Sequence, residues 1–315
     1  HSLNMSVRTL STLKILSWNI EGMHTNAGDN KFNYSEIINT VNKFDIVCIQ
    51  ETFANEDSRL HVRGYTTYSS IRGYKHKKAK RSSGGVAILV KNSIAKGISK
   101  QKSVSDDILW IKLDKNFFGL QRDTYLCSCY LIPENSSILT WNYLNICEAL
   151  EIDINMYSAI GQVVVCGDLN ARVGKEKDYI VNDSSTYLPL PRDYDIDNFN
   201  TKRISKDNTV NNYGSWLVDL CISAKLCILN GRCCGDVLGN YTSYSRKGAS
   251  TVDYIITSKA LYVKFDYFKV LKFTEWSNHC PISASLRINC MNDSLSDNET
   301  ESLNECPPRF IWDSE

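Results

Sequence analysis

Short apolar segments, each about the length of a β-strand, recur along the whole chain and outnumber the segments with helical periodicity. Even the longest uncharged ones, Val163–Cys166 and Gly84–Val90, fall far short of the roughly 20 apolar residues that a transmembrane helix needs. Strands in such numbers bury their apolar faces against other strands or helices. The pattern therefore restricts the chain to a fold of packed sheets, and no membrane partner is expected.

The order of the segments predicts the layers of the fold. Strands are predicted at residues 13–19, 45–51, 64–70, 84–91, 108–113, 124–130, 163–166, 226–230, 241–245, 252–257, 268–273 and 281–287. Apolar residues at helical spacing predict helices at residues 34–41, 138–158 and 213–224. Residues 173–210 are rich in Asp, Asn, Lys, Ser and Tyr and are predicted to form a long loop. We expect an α/β (α+β) fold, a four-layered α/β/β/α sandwich of two packed, mainly antiparallel sheets flanked by helices.

Charge is unevenly distributed along the chain. The 315 residues carry a net charge of +1, but residues 291–315 contain seven acids and one base, which leaves +7 on the remaining 290 residues. A basic body suits a polyanionic partner such as nucleic acid. We expect a lead-in at residues 1–11, one folded domain at 12–290 and an acidic disordered linker at 291–315. Because the chain starts at His1 and stops without a closing element, we expect a piece of a longer protein.

The twelve cysteines are expected to be reduced. Several lie inside apolar strand segments, where a thiol behaves as a small buried hydrophobic group. These are Cys48, Cys127, Cys129, Cys166 and Cys227. No basic-then-apolar signal peptide opens the chain, so an intracellular location without disulfide partners is expected. No set of Cys and His residues has the spacing of a zinc site.

Five apolar strands end abruptly in acids, amides or a histidine. The five segments are Trp18–Glu21, Gln50–Thr52, Gly167–Asn170, Val252–Tyr254 and Ser277–His279. Acids at the ends of strands are costly to bury unless they are paired or bind a metal ion. If the five ends converge, their oxygen atoms would suit a hard cation such as Mg²⁺. The alternative is that each segment merely forms a turn, which Asp and Asn favour on their own.

His279 is the candidate for acid–base chemistry. The other four histidines lie in loop-like or terminal segments, whereas His279 lies just before the strand that opens at Pro281. The alternative is a structural histidine, which is the commoner role of a single His. A catalytic role requires a carboxylate beside the ring to fix its tautomer and hold a proton on it, and Asp253 is the candidate.

The polar segments occur in an order that resembles one known family. The matching elements are Ser17-Trp18-Asn19, Gln50-Glu51-Thr52, Ser83-Gly84-Gly85, Tyr130 with Pro133, Gly167-Asp168-Leu169-Asn170-Ala171, Thr242 with Asp253, and Ser277-Asn278-His279. The set resembles the endonuclease/exonuclease/phosphatase superfamily, the metal-dependent phosphodiesterases that include the base-excision apurinic endonucleases. The resemblance spans residues 13–287. Within the superfamily, residues 167–174, Ile228–Arg232 and the hairpin from Thr242 to Asp253 most resemble the endonuclease domain of non-LTR (LINE-type) retrotransposons.

The resemblance implies a metal site built from strand ends. Glu51 would be the main charged ligand of one Mg²⁺, with Asn19 and Glu21 nearby, and Mn²⁺ would serve as a substitute. Many members of the family carry Asp immediately before the final His, where this chain has Asn278. Its amide keeps an oxygen ligand but removes one negative charge, which would weaken Mg²⁺ binding or shift the position of the ion.

The resemblance also implies catalytic and DNA-binding roles. Asp168 would orient or deprotonate the attacking water, and Asn170 would position the water and a phosphate oxygen. Tyr130 and His279 would contact the scissile phosphate, with Asp253 hydrogen-bonded to His279. The residues expected to face DNA are Thr242, Arg246 and Lys247 on the hairpin, Arg172, and Lys77, Lys78 and Arg81 in the basic run.

Four functions are compatible with these residues. The leading one is a nicking endonuclease that opens double-stranded target DNA and leaves a 3′-hydroxyl as the primer for a fused reverse transcriptase, which implies action in the nucleus. The alternatives are an apurinic/apyrimidinic-site repair endonuclease, a small-molecule or lipid phosphodiesterase, and a catalytically impaired DNA-binding module. The basic body favours nucleic acid over the small molecule or lipid, and Asn278 is the reason to consider the impaired module.

Overall fold

The computed structural model describes residues 11–55, 60–72, 83–134, 136, 145–180 and 202–289. Its strands are β1 (Ser11–Asn19), β2 (Ile46–Gln50), β3 (Tyr65–Ser70), β4 (Val86–Lys91), β5 (Ile98–Lys100), β6 (Ile108–Leu113), β7 (Thr124–Tyr130), β8 (Gln162–Asp168), β9 (Leu226–Ile228), β10 (Ser243–Ser245), β11 (Gly248–Ser250), β12 (Asp253–Ser258), β13 (Phe265–Val270) and β14 (Ile282–Ile288). Its helices are α1 (Ser35–Val41), α2 (Lys115–Phe118), α3 (Ile146–Ile160), α4 (Asn212–Ser223) and α5 (Lys259–Tyr262). Short 3₁₀ helices lie at Lys31–Asn33 and Asn92–Gly97.

Two six-stranded sheets form the centre of the molecule. The first has the strand order β13-β14-β1-β2-β4-β3 and the second β5-β6-β7-β8-β12-β9, while β10 and β11 form a separate hairpin. Within each sheet one neighbouring pair is parallel, β1 with β2 and β7 with β8, and the others are antiparallel. Helix α1 packs on the outer face of the first sheet and helices α3 and α4 on that of the second. The predicted four-layered sandwich is confirmed.

The two sheets face each other across one apolar core, and alternate residues of the central strands explain why. In β2, Cys48 points into the core between the sheets, whereas Val47 and Ile49 pack under α1. In β8, Cys166 points between the sheets and Val165 packs under α3 and α4. Because neighbouring side chains leave a strand on opposite faces, a strand buried on both faces needs the continuous apolar run that the sequence has.

Strand register brings the polar strand ends to one edge of the sandwich. Asn19 at the end of β1 is aligned with Gln50 at the end of β2 in the parallel pair. In the second sheet, Tyr130 at the end of β7 is aligned with Asp168 at the end of β8. Asp253, the first residue of β12, lies opposite Asp168 in the antiparallel pair. The segments that the sequence singled out therefore meet at a single edge.

The predicted helix at residues 138–158 is wrong in its start. Helix α3 begins at Ile146 because the side chain of Asn145 accepts a hydrogen bond from the backbone N–H of Cys147 and caps the helix. Asn145 itself has non-helical backbone angles, so the helix cannot run through it. Residues 137–144 lie outside the described residues.

Two short strands and two short helices were not predicted. Strands β5 and β11 are three residues long and contain mostly small or polar residues, so they lack the apolar run that marks the other strands. Helices α2 and α5 have four residues each, too few to show a helical period. The predicted loop at 173–210 is confirmed where it is described, at 173–180 and 202–210, where pairing is limited to one bridge between Val173 and Val210.

The structure describes the predicted domain up to its ends but little of the segments that flank it. Strand β1 begins at Ser11 and β14 ends at Ile288, within the predicted domain boundaries apart from one residue. Residues 1–10 and 290–315, which include nearly all of the predicted lead-in and the whole acidic linker, lie outside the described residues. No helix in the described part of the chain is long and apolar enough to span a membrane.

Candidate active site

Asp168 lies at the centre of the polar edge. Its side chain is buried, and the side-chain amide of Asn19 donates hydrogen bonds to Oδ2 of Asp168 at 2.9 Å and to Oε1 of Glu51 at 3.1 Å. The backbone N–H of Asn170 donates to Oδ1 of Asp168 at 3.0 Å. One amide from the first sheet thus holds two carboxylates, one from each sheet, beside each other.

The backbone at this edge is strained. Glu21, Glu51 and Asn170 have φ angles of 48°, 51° and 46°, in the left-handed region that residues other than glycine seldom adopt. They are three of the five such residues in the described part of the chain. Strain of this kind persists where the surrounding structure imposes it, and it concentrates at functional sites. All three are residues that the sequence predicted for the site.

His279 forms a tight pair with Asp253. Its Nδ1 lies 2.9 Å from Oδ2 and 3.0 Å from Oδ1 of Asp253, and its Nε2 lies 3.8 Å from Oδ2 of Asp168. Burial of the ring favours the neutral form, but the negative charges of Asp253 and Asp168 outweigh it and raise the pKa of His279 to about 10. His279 is therefore a cation at neutral pH, with Nε2 directed towards Asp168.

The carboxyl group of Asp168, in contrast, gains and loses its proton near neutral pH. Burial raises the pKa of its carboxyl group to about 7; the His279 cation opposes this rise, and the charges of Asp253 and Glu51 add to it. A carboxylate that gains and loses a proton near neutral pH is suited to accept a proton from water.

Tyr130 adds a neutral hydroxyl to the site. Burial and then the charges of Glu51 and Asp168 hold the pKa of the phenol far above its ordinary value, and Tyr130 is hydrogen-bonded to Glu51. The phenol therefore stays protonated and can donate a hydrogen bond. The guanidinium of Arg72 lies 5.9 Å from the centre of the Tyr130 ring.

Sequence reasoning missed the ion pair that supports Tyr130. Arg72 Nη2 lies 2.7 Å from Oδ2 of Asp107, and both side chains are buried. The pair explains the Ser83-Gly84-Gly85 motif. A Cβ on Gly84 would lie 2.3 Å from the Arg72 guanidinium, and the N–H of Gly85 donates to Oδ1 of Asp107 at 3.2 Å. The motif was the available signal, because glycines next to a strand mark the close approach of another group.

Glu21 faces Asn278. The backbone N–H of Asn278 donates to Oε2 of Glu21 at 2.8 Å, and its side-chain amide donates to Oε1 at 3.0 Å. Both residues line an open cavity of about 630 Å³ beside the edge. Lys31 Nζ donates to the carbonyl oxygens of Ile20 and Trp276 and so joins the two loops that carry Glu21 and Asn278.

The sequence of the chain matches the model of one protein family. The model of the Endonuclease/Exonuclease/phosphatase family matches residues 16–267, well over half of the chain. The chain belongs to this family. The match includes the strand ends that carry Asn19, Glu51, Asp168 and Asp253. Among curated protein sequences, none matches the chain.

Solved structures share the fold at low sequence identity. The AP endonuclease LMAP from Leishmania major is 15% identical over 88% of this chain and 88% of its own, with a TM-score of 0.63. The catalytic domain of Xenopus laevis APE2 is 17% identical over 90% of this chain and 94% of its own, with a TM-score of 0.59. The endonuclease domain of TRAS1, a telomere-specific non-LTR retrotransposon, is 15% identical over 89% of this chain and 100% of its own, with a TM-score of 0.54.

The side chains of Thr242 and Arg172 form hydrogen bonds with other residues of the chain. The buried hydroxyl of Thr242 accepts hydrogen bonds from the backbone N–H groups of Val252 and Asp253, both at 3.0 Å, so Thr242 fixes the start of β12. Arg172 forms two parallel hydrogen bonds with Asp207, at 2.8 Å and 2.6 Å. Their predicted contact with DNA stays a prediction.

The predicted hairpin cations, Arg246 and Lys247, are more exposed than Thr242 and Arg172. Arg246 and Lys247 are exposed at the turn between β10 and β11, as the sequence predicted for the tip of the hairpin. Lys77, Lys78 and Arg81 lie outside the described residues. Of the predicted DNA-facing residues that the structure describes, the tip cations are the exposed ones.

The residues present fit a divalent cation. Glu51, beside Asp168, and Glu21, beside Asn278, offer the carboxylate oxygens that Mg²⁺ prefers. Asp168, Asp253 and His279 also have ligand atoms within 4.8 Å of one another. We favour the Glu51 side, because a protonated His279 has no lone pair for a metal. Asn19 uses its amide N–H for Glu51 and Asp168, and its role as a ligand stays a prediction.

Proposed function

We propose that the chain is a Mg²⁺-dependent DNA endonuclease that nicks target DNA and leaves a 3′-hydroxyl to prime reverse transcription during retrotransposon integration. The observation that carries the proposal is the meeting of three side chains at one edge, with Nδ1 of His279 2.9 Å from Asp253 and its Nε2 directed towards Asp168. Asp168 ionises near neutral pH, while His279, whose Nε2 lies 3.8 Å away, is a cation held by Asp253. A base and a cationic donor side by side suit the attack of water on a phosphodiester.

The hydrolytic step divides between these residues. Asp168 in its carboxylate form orients the water and accepts its proton, and Asn170 is held for a positioning role by its hydrogen bond to the carbonyl of Leu131 at 2.7 Å. The His279 cation and the Tyr130 hydroxyl donate to the phosphate oxygens as negative charge builds on them. As the water oxygen bonds to phosphorus, the bond from phosphorus to O3′ breaks and O3′ takes up a proton from solvent, which yields a 3′-hydroxyl and a 5′-phosphate.

A metal ion would complete the balance of charge. Mg²⁺ held by Glu51, with Glu21 close by, would supply positive charge against the transferring phosphate. The Asn19 amide, which donates a hydrogen bond to Glu51, would hold this carboxylate in place for the ion.

The role in retrotransposon integration is a more specific proposal than DNA endonuclease activity. It is supported by the sequence pattern at residues 167–174 and by the likeness of the fold to the TRAS1 endonuclease domain. We propose fusion to a reverse transcriptase and action in the nucleus on double-stranded DNA as parts of the same function. The basic body, with its net charge of +7, supports a polyanionic substrate.

Nicking of supercoiled plasmid tests the proposal. We expect conversion to the open circle with Mg²⁺, no conversion with EDTA, and extension of the nick by a DNA polymerase without prior treatment of the ends. Glu51→Gln should abolish nicking, whereas Glu36→Gln, an exposed acid in the first turn of α1, should not change it. Absence of any Mg²⁺-dependent nicking by the natural sequence would contradict the proposal.

The same assay separates the alternatives. An apurinic/apyrimidinic-site endonuclease would cut a duplex with one abasic site far faster than an intact duplex even with enzyme at saturation, whereas we expect comparable single-turnover rates under that condition. A catalytically impaired module would bind the duplex and leave it uncut at every Mg²⁺ concentration. A polymerase that could not extend the nick would rule out the proposed 3′-hydroxyl.

A further inference from the structure

Two aromatic rings lie exposed side by side at the base of the β10–β11 hairpin. Tyr244 is 41% exposed and Phe273 is 53% exposed, and their ring centres are 5.6 Å apart at an interplanar angle of 81°. A third ring, Tyr241, meets Tyr244 at 6.4 Å and 72°. Single exposed apolar residues are ordinary on a protein surface, but a contiguous exposed cluster indicates a binding surface.

The cluster is attached to the loop that carries His279. The backbone N–H of Tyr244 donates to the carbonyl oxygen of Asn278 at 2.9 Å, and Ser243 forms an isolated bridge with His279. Phe273 lines the 630 Å³ cavity together with Glu21 and Asn278. The two rings therefore continue directly from the candidate active site.

Three exposed cations lie close to the two rings along the chain. Arg246 and Lys247 at the hairpin turn and Lys272 next to Phe273 are exposed, and none of them forms an ion pair within the described residues. The acids Glu21 and Glu275 line the same cavity as Phe273. Aromatic rings combined with unpaired cations bind the bases and phosphates of unstacked nucleic acid.

We propose that Tyr244 and Phe273 form a stacking site for one unpaired nucleobase of the DNA substrate, next to the scissile phosphate. The proposal deepens the endonuclease function and rests on it for the position of the phosphate. Two rings at right angles form a corner in which a planar base stacks on one ring and meets the other edge-on. Bases inside a continuous duplex are already stacked on both faces, so this site selects duplex DNA that carries an unpaired nucleotide.

Stacking on a protein ring is independent of the identity of the base, because every base has an aromatic face. The site therefore selects DNA by its structure and not by its sequence. Loss of one stacking ring weakens the binding of such a base by about 5- to 100-fold. A fully paired duplex does not use the site, so its binding depends on the phosphate contacts alone.

Fluorescence of 2-aminopurine tests the proposal without cleavage. We would place the probe at one unpaired position of a short duplex, or opposite thymine in the paired control, and measure binding in EDTA. With the natural sequence we expect quenching and tighter binding for the unpaired probe. Tyr244→Ala and Phe273→Ala should each lose the preference by about 5- to 100-fold, whereas Tyr244→Phe should keep it.

Val263→Ala is the matched control, since Val263 is 64% exposed and is not among the residues that line the cavity. It should bind both duplexes like the natural sequence. Equal binding of paired and unpaired duplex, or an unchanged preference in both alanine variants, would overturn the stacking site. If Tyr244→Ala does not fold, Phe273→Ala decides the outcome. Plasmid nicking by the natural sequence reports separately on the endonuclease function.

Discussion

Two pairs of side chains flank the candidate active site, and they differ in burial and in charge. In the inner pair, Asp253 and His279 are largely enclosed and carry opposite charges next to Asp168. In the outer pair, Glu21 accepts hydrogen bonds from the neutral amide of Asn278 at the mouth of an open cavity. Low dielectric strengthens interactions in the inner pair, while water weakens them in the outer pair. The inner pair is therefore expected to set the rate, and the outer pair the affinity for the cation.

The largest effect is expected from removal of the inner cation. His279→Ala removes the charge that faces the phosphate, so the nicking rate should fall by about 10²–10⁴-fold while DNA binding changes little. Single-turnover nicking and filter binding measure the two quantities. His61→Ala, an exposed histidine outside the site, is the control and should change neither. A variant that lost binding and kept its rate would show that His279 holds the substrate.

The second-largest effect is expected from replacement of Asp253, the carboxylate paired with the His279 cation. Asp253→Asn removes the carboxylate that raises the pKa of His279, so the pKa should fall and the cation should be lost at a lower pH. The alkaline limit of nicking should move down in pH, together with a lower rate at neutral pH. An NMR titration of His279 measures the pKa directly. An unchanged titration curve would contradict the role of Asp253.

Asp168 controls the acid side of the pH profile. Because its pKa is raised to about 7, the carboxyl group is protonated below that pH and cannot accept a proton from water. The nicking rate should therefore rise with pH through about 7. More Mg²⁺ should move the midpoint to lower pH, since a nearby cation favours the carboxylate. A rate that is flat across neutral pH would argue against Asp168 as the base.

The smallest effect is expected in the outer pair. Asn278→Asp places a second carboxylate against Glu21, where the amide now donates, and the two acids then favour a cation between them. Half-maximal nicking should occur at a Mg²⁺ concentration a few-fold lower. Asn26→Asp, which adds the same charge elsewhere in the cavity, is the matched control. Identical Mg²⁺ curves for Asn278→Asp and the natural sequence would mean that residue 278 does not influence the ion.

Local patterns were sufficient for the longer strands and for the residues at their ends. The apolar runs gave β1, β2 and β8, and the packing of the two sheets then brings Asn19 at the end of β1 within hydrogen-bond distance of Asp168 at the end of β8. The pairing of Asp253 with His279 was stated as the condition for a catalytic histidine and was implied by the resemblance to the family; in the structure Nδ1 of His279 lies 2.9 Å from Oδ2 of Asp253.

Pairings between distant, unremarkable residues could not be predicted. Arg72 and Asp107 lie 35 residues apart, and neither is part of a periodic pattern. Arg172 was predicted to face DNA, but its partner Asp207 lies in a loop whose path the sequence does not reveal. Side-chain caps are local, yet they are also easy to miss, as Asn145 at the start of α3 illustrates.

Mg²⁺ titrations of two variants test the difference between the inner and outer regions most directly. We would measure the single-turnover nicking rate of Asp168→Asn and Glu21→Gln at increasing Mg²⁺ concentration. Asp168→Asn should remain slower than the natural sequence by about 10²–10⁴-fold at saturating Mg²⁺, because the proton acceptor is gone. Glu21→Gln should need more Mg²⁺ but reach nearly the natural rate. Recovery of Asp168→Asn by Mg²⁺, or an equal and lasting loss in Glu21→Gln, would contradict this division.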